Sequence, residues 1–167
     1  MHTVYLGLGT NIGNRAANLQ AAVTGLAENL NVTAVSPIYE TAPWGITDQP
    51  DFLNMCLIAE TDLPPNELLA LLKNLEKEIG RVPGERWGPR LIDIDLLFYA
   101  HQIIKTEKLT IPHPELPERA FVLRPLADIA PDFVHPVLGE TIAALAAKVD
   151  DEGIRPFAPA PTLQLKQ

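Results

Sequence analysis

The chain has 167 residues, 47% of them hydrophobic and 20% charged, with a net charge of −8. That length suits one domain with a substantial core. The acidic balance excludes a general nucleic-acid binder, whose affinity rests on cationic contacts to phosphates, and no apolar run approaches the ~20 residues of a membrane helix.

Val4, Leu6 and Leu8 alternate with Thr3, Tyr5 and Gly7, which predicts a first strand. Residues 9–14 are a turn by composition. Leu19, Ala22, Val23, Leu26 and Leu30 keep helical spacing over residues 15–30. Residues 32–39 form a second predicted strand, and 40–50, with Pro43, Gly45 and Pro50, a long loop. Residues 52–61 are a third strand. Asp62-Leu63-Pro64-Pro65 opens a helix, Leu68, Leu71, Leu72, Leu75 and Ile79 give its apolar stripe, and Gly80 stops it. Residues 81–89 are a second long loop, and 91–99 a fourth strand.

The order strand, helix, strand, strand, helix, strand predicts an α+β fold with a ferredoxin-like βαββαβ core, an antiparallel sheet with helices on one face. Alternation puts Ile92, Ile94, Leu96 and Phe98 on the helix side, with Leu53, Met55, Leu57 and Ala59. Asp93, Asp95, Phe52 and Asn54 fall on the other face, where the substrate site is expected. Further on, 102–104 and 109–111 suggest a short hairpin, and 117–130 and 140–148 suggest helices. The expected organisation is a single domain over 1–154 and an extended, proline-containing tail over 155–167.

Two carboxylates on one strand face, Asp93 and Asp95, repel each other and are costly without a cation between them. Magnesium held by one or two carboxylates plus substrate phosphates is the usual solution. Arg81, Arg86 and Arg90 form a basic island just before them, in a loop that also carries Trp87. Guanidinium forks suit phosphate oxygens. The segment therefore predicts a metal-phosphate site. Phe52 and Asn54 read equally well as core residues and as a pair that stacks on and hydrogen-bonds a heterocycle. Gly7-Leu8-Gly9-Thr10-Asn11-Ile12-Gly13 misses the dinucleotide fingerprint, because its third glycine is one place late, and no Walker-A pattern exists. Taken alone, His113 between two prolines reads more readily as a loop residue than as a catalytic one. The single cysteine, Cys56, sits in an apolar run and reads as buried. No signal peptide is evident, so a cytoplasmic protein is expected. A polymerase-like palm would also carry paired aspartates, but the small, acidic chain argues against a nucleic-acid substrate.

Several segments recur in order in one family: Gly9-Thr10-Asn11-Ile12-Gly13, Tyr39-Glu40-Thr41, Gln49-Pro50-Asp51-Phe52-Leu53-Asn54, Arg86-Trp87-Gly88-Pro89-Arg90-Leu91-Ile92-Asp93-Ile94-Asp95, Ile111-Pro112-His113-Pro114 and Arg119-Ala120-Phe121-Val122-Leu123. Over residues 2–150 the chain closely resembles 6-hydroxymethyl-7,8-dihydropterin pyrophosphokinases. The resemblance implies diphosphate transfer from ATP to the pterin hydroxymethyl group in folate biosynthesis, with AMP released and two magnesium ions held by Asp93 and Asp95. It implies pterin contacts from Thr41, Ala42, Pro43, Trp44, Phe52, Asn54, Trp87, Asp93, Arg119 and Phe121. It implies an ATP site of Lys73, Glu76, Arg81, Arg86, Trp87, Arg90, Ile94, Asp95, Lys108, Thr110 and His113. Arg81 and Arg90 would act in catalysis with the two aspartates. The expected partners are small molecules only, with no membrane or nucleic acid, and the chain is expected to be a monomer. One departure is Pro83, where many relatives carry a basic residue; altered loop closure and weaker ATP binding are expected from it.

Overall fold

A computed structural model describes residues 1–42, 50–80 and 91–163. Its core strands are β1 (His2–Thr10), β2 (Asn31–Val35), β3 (Ile38–Thr41), β4 (Phe52–Thr61) and β5 (Asp93–Tyr99), with helices α1 (Arg15–Asn29) and α2 (Pro65–Ile79) between them. The sheet is antiparallel in the order β5-β1-β4-β3, and β2 also pairs with β4. This is the expected ferredoxin-like arrangement. A small hairpin of β6 (Ile104–Lys105) and β7 (Thr110–Ile111) follows, then α3 (Ala120–Ile129), α4 (Ile142–Lys148) and β8 (Ile154–Ala158).

The apolar stripes explain the layers. Leu19, Val23 and Leu26 of α1 and Leu68, Leu72 and Leu75 of α2 pack on Val4, Leu6, Leu8, Leu53, Met55, Leu57, Ile94 and Leu96 of the sheet and on Ile92 just before β5. Each such side chain, fully buried, contributes roughly 1.5–3 kcal/mol. Asn14 caps α1 by accepting the Ala17 N–H at 3.1 Å, and Pro65 occupies the first position of α2, where no N–H is needed. The opposite face carries a second cluster. There α3 and α4 pack Leu123, Leu126, Ile142 and Leu145 over Cys56, Leu97 and Phe98.

Four details depart from the sequence expectation. The second strand is broken at Ser36-Pro37 into β2 and β3. Ser36 bridges the break, donating its N–H to the Cys56 carbonyl and accepting the Cys56 N–H on its hydroxyl, each at 2.9 Å. Phe98 lies on the α3 side, not against α1 and α2, because the β1–β5 register shifts at Tyr5/Leu6 and leaves Leu97 as an extra residue. The alternation inverts there, and Tyr99 returns to the α1/α2 side, its hydroxyl donating to the Leu63 carbonyl at 2.6 Å. The helix expected over 117–130 begins as a 3-10 turn at Leu116–Glu118 before α3. The segment from Arg155, expected as a tail, is extended, but Arg155, Pro156 and Ala158 pair with β3 as part of β8, with a register shift at Phe157.

Candidate active site

Two glycines in the middle of the sheet define the site. Gly9 of β1 lies in register with Asp93 on one side and Asn54 on the other; Gly7 lies between Asp95 and Cys56. Glycine inside a strand marks a close approach of backbone or ligand. Here Gly9 leaves a strip of floor without a side chain between Asp93 of β5 and the polar end of β4, while Gly7 is buried under Leu97. A Cβ on Gly9 would sit 2.9 Å from Asn54 Oδ1, and one on Gly7 would meet Leu97 at 3.5 Å.

Asp93 is exposed and Asp95 half-buried, both on the face away from α1 and α2. Across the floor, Asn54 is only 7% exposed and donates Nδ2 to Thr41 Oγ1 at 3.0 Å. That bond fixes the amide and turns Oδ1 toward Gly9. Phe52, half-buried, pairs with Thr41 across the strands. The carbonyl of Leu97, the bulged residue, accepts the His113 N–H at 3.0 Å, which docks the 112–114 segment next to β5. His113 Nδ1 accepts the Glu115 N–H at 3.3 Å, so the neutral ring carries its proton on Nε2. Burial pulls the His113 pKa below its ordinary value; the nearby Asp95 opposes this and Arg119 adds to it. Arg119 pairs with Glu115 and places its guanidinium over the Phe121 ring, 5.5 Å from the centroid.

On the outer edge of β5, Glu76 of α2 is 7% exposed and uses both oxygens. One pairs with Lys73 at 2.9 Å, and the other accepts the Ile94 N–H at 3.2 Å. Thus Lys73, Glu76 and Ile94 come together at that edge. Lys108 lies in the β6–β7 turn and Thr110 on β7, both exposed. Pro43, Trp44, Arg81, Pro83, Arg86, Trp87 and Arg90 fall outside the described residues.

The 9–14 turn joins both ends of the site. Thr10 Oγ1 donates to the Leu91 carbonyl, two residues before Asp93, and Asn11 Nδ2 donates to the Pro50 carbonyl at 3.4 Å, two residues before Phe52. Asn18 Nδ2 holds the turn through the Ile12 carbonyl at 2.9 Å, and Gly13 takes the left-handed conformation, φ +70°, that reverses the chain. Glycines at alternate positions of a predicted strand were the sequence signal for the floor. Nothing in the sequence signalled the Thr10 and Asn11 contacts.

Magnesium fits this donor set. It accepts one or two carboxylates, keeps waters and takes phosphate oxygens. Asp93 and Asp95 are two carboxylates on one face, neither of them buried, an arrangement that suits a cation shared with phosphate.

The model of the 7,8-dihydro-6-hydroxymethylpterin-pyrophosphokinase family matches residues 5–131. A 2-amino-4-hydroxy-6-hydroxymethyldihydropteridine pyrophosphokinase of Methylorubrum extorquens is 49% identical over 156 residues, 92% of this chain and 98% of its own length. The enzyme of the same name from Aquifex aeolicus is 46% identical over 137 residues, 82% of this chain and 86% of its own. Among solved structures, wild-type Plasmodium falciparum HPPK-DHPS superposes with a TM-score of 0.71 at 19% identity, over 88% of this chain and 44% of that one. At that identity the likeness speaks for the fold alone. With about three quarters of the chain matched by the family model, and relatives near half identity along most of their length, the chain belongs to the 7,8-dihydro-6-hydroxymethylpterin-pyrophosphokinase family.

Proposed function

We propose that the glycine floor is where the terminal diphosphate of ATP passes to the hydroxymethyl group of 6-hydroxymethyl-7,8-dihydropterin, releasing AMP in a step of folate synthesis. The observation that carries this is the row Asp93–Gly9–Asn54. It spans two strand spacings, roughly 10 Å, the reach of a bicyclic ring with its hydroxymethyl arm. A reader of heterocycle edges stands at one end and carboxylates at the other.

Asn54 Oδ1, fixed by the bond from Nδ2 to Thr41, accepts a ring or amino N–H of the pterin. Thr41 keeps its hydroxyl proton free to donate. Phe52 and Phe121 supply apolar ring faces, and Ala42, Pro43 and Trp44 complete the pterin edge by family analogy. His113, whose Nδ1 is taken by the Glu115 N–H, presents Nε2–H as a donor to a phosphate oxygen. Glu76 orders the β5 edge through Ile94 and holds Lys73 beside the nucleotide, and Lys108 and Thr110 border it. Arg81, Arg86 and Arg90 bind phosphates and Trp87 closes over them, as in the family. Asp93 and Asp95 would hold two magnesium ions, which supply neutralisation of phosphate charge and a more acidic substrate hydroxyl. The protein's part is thus positioning and electrostatic complementarity. Among the described residues no helix is long and apolar enough to cross a membrane, and the use of ATP supports a cytoplasmic location.

Phosphorus NMR of the chain with ATP, magnesium and 6-hydroxymethyl-7,8-dihydropterin tests the reading. The expected products are AMP and a pterin diphosphate ester, both dependent on magnesium. ADP or free pyrophosphate as the primary product would overturn it.

A further inference from the structure

Behind the pterin end of the floor, on the other side of the sheet, lies an ionic cluster built from distant parts of the chain. Arg155 of β8 donates Nε and Nη2 to Glu40 Oε1 at 3.0 and 2.7 Å, and Nη2 to Asp51 Oδ2 at 2.6 Å. Arg15, the first residue of α1, donates Nη1 to Glu40 Oε2 and to the Asp51 carbonyl, both at 2.8 Å. Its guanidinium also lies over the Phe157 ring of β8, 5.5 Å from the centroid. Both oxygens of Glu40 are therefore taken, with its side chain 17% exposed. The Arg15 hydrogen bond is the main cause holding the Glu40 carboxyl below its ordinary pKa, and Arg155 adds to it.

The placement matters because Glu40 immediately precedes Thr41 and Asp51 immediately precedes Phe52. The side chains alternate, so the cluster grips β3 and the entry to β4 from behind while Thr41 and Asn54 face the floor. Charge-assisted, forked contacts of this kind hold geometry more tightly than neutral ones. Arg155 also lies beyond residues 5–131, which the family model matches.

We propose that Arg155, together with Arg15, is a positioning residue for the pterin subsite, clamping Glu40 and Asp51 so that Thr41, Phe52 and Asn54 keep a single arrangement. This rests on the pterin reading above. The clamp acts on pterin affinity and leaves the nucleotide end, two strands away, unaffected.

The test compares wild type with Arg155→Gln, Arg155→Lys and Asp51→Asn. It reads equilibrium binding of 6-hydroxymethyl-7,8-dihydropterin, separate binding of a non-hydrolysable ATP analogue with magnesium, and kcat at saturating pterin. For Arg155→Gln the pterin Kd is expected to rise about tenfold, with the analogue Kd and kcat within about twofold of wild type. Arg155→Lys is expected to recover part of the loss, because an ammonium keeps the charge without the fork. Asp51→Asn keeps an acceptor but removes the carboxylate charge that Arg155 contacts, and carries the test if Arg155→Gln does not fold; a smaller rise in pterin Kd is expected. Unchanged pterin affinity, or equal losses for pterin and nucleotide, would overturn the clamp. Wild type that binds and turns over pterin while the variants match it sinks the clamp alone, whereas wild type that binds no pterin sinks the functional reading as well.

Discussion

On the α1/α2 face, β1, β4 and β5 present buried apolar side chains along most of their length, from Val4 through Leu57 to Leu96. The α3 face changes character along the same strands. At one end Tyr5, Phe98 and Phe133 pack edge-on and tilted beneath the 131–141 segment. At the other end Gly9 leaves a half-open floor between Asp93 and Asn54, next to Gly7, which is buried under Leu97. One face spends its residues on cohesion, and the other divides them between cohesion and ligand. Substitutions on the first should lower stability and spare chemistry, and those at the glycine end should do the reverse.

The sharpest break of that contrast is Asp95→Asn. Steady-state kinetics should show kcat/KM falling about 10³-fold or more, as removal of a charge-stabilising group does, with the thermal midpoint nearly unchanged. A variant that keeps most of its activity would remove Asp95 from the site. Next is Leu72→Ala, fully buried against the sheet. Chemical denaturation should register a loss of about 2–5 kcal/mol, while kcat of the folded fraction stays at the wild-type value. A large fall in kcat would mean that the two faces are not separable.

Gly9→Ala is a smaller and more pointed perturbation. The new Cβ, 2.9 Å from Asn54 Oδ1, must push the amide off Thr41. Pterin affinity should fall about tenfold, the equivalent of roughly one substrate hydrogen bond, with little change in ATP affinity. Equal binding of pterin by this variant would argue that the floor has room to spare.

The smallest expected effect tests the packed end of the α3 face. His135 is buried, and its Nδ1 accepts the N–H groups of Val137 and Leu138, each at 3.1 Å. Burial holds its pKa below the ordinary 6.5. The unfolded chain therefore takes up the proton first as pH falls, so stability is full above about pH 6.5 and declines below it. His113, shifted in the same direction, adds to this slope. His135→Asn retains an acceptor and removes the proton site. It should flatten part of the fall in thermal midpoint between about pH 7 and about pH 5.5; an unaltered slope would assign the dependence to other groups.

Much of this architecture was legible before folding. The period of two in β1, β4 and most of β5, and the helical spacing in α1 and α2, are local properties. They place Asp93 and Asp95 on one face without reference to any other part of the chain. The break at Ser36-Pro37 was half-visible, since proline weakens a strand, but the repair by Ser36 depends on Cys56, twenty residues on. Phe98 departs from the expected face because a single extra residue at Leu97 inverts the alternation, and nothing in the local pattern announces a bulge whose partner lies on β1.

By itself the sequence determined the order of the core elements and the spacing of the carboxylates, because periodicity is set by backbone geometry at each residue. Tertiary structure alone decided that Gly9 separates Asp93 from Asn54, that Leu97 docks His113, and that Arg155 meets Glu40 and Asp51 across more than a hundred residues. Those contacts follow from strand register and edge pairing, which are chosen by the fit of whole surfaces and carry no signature at short range.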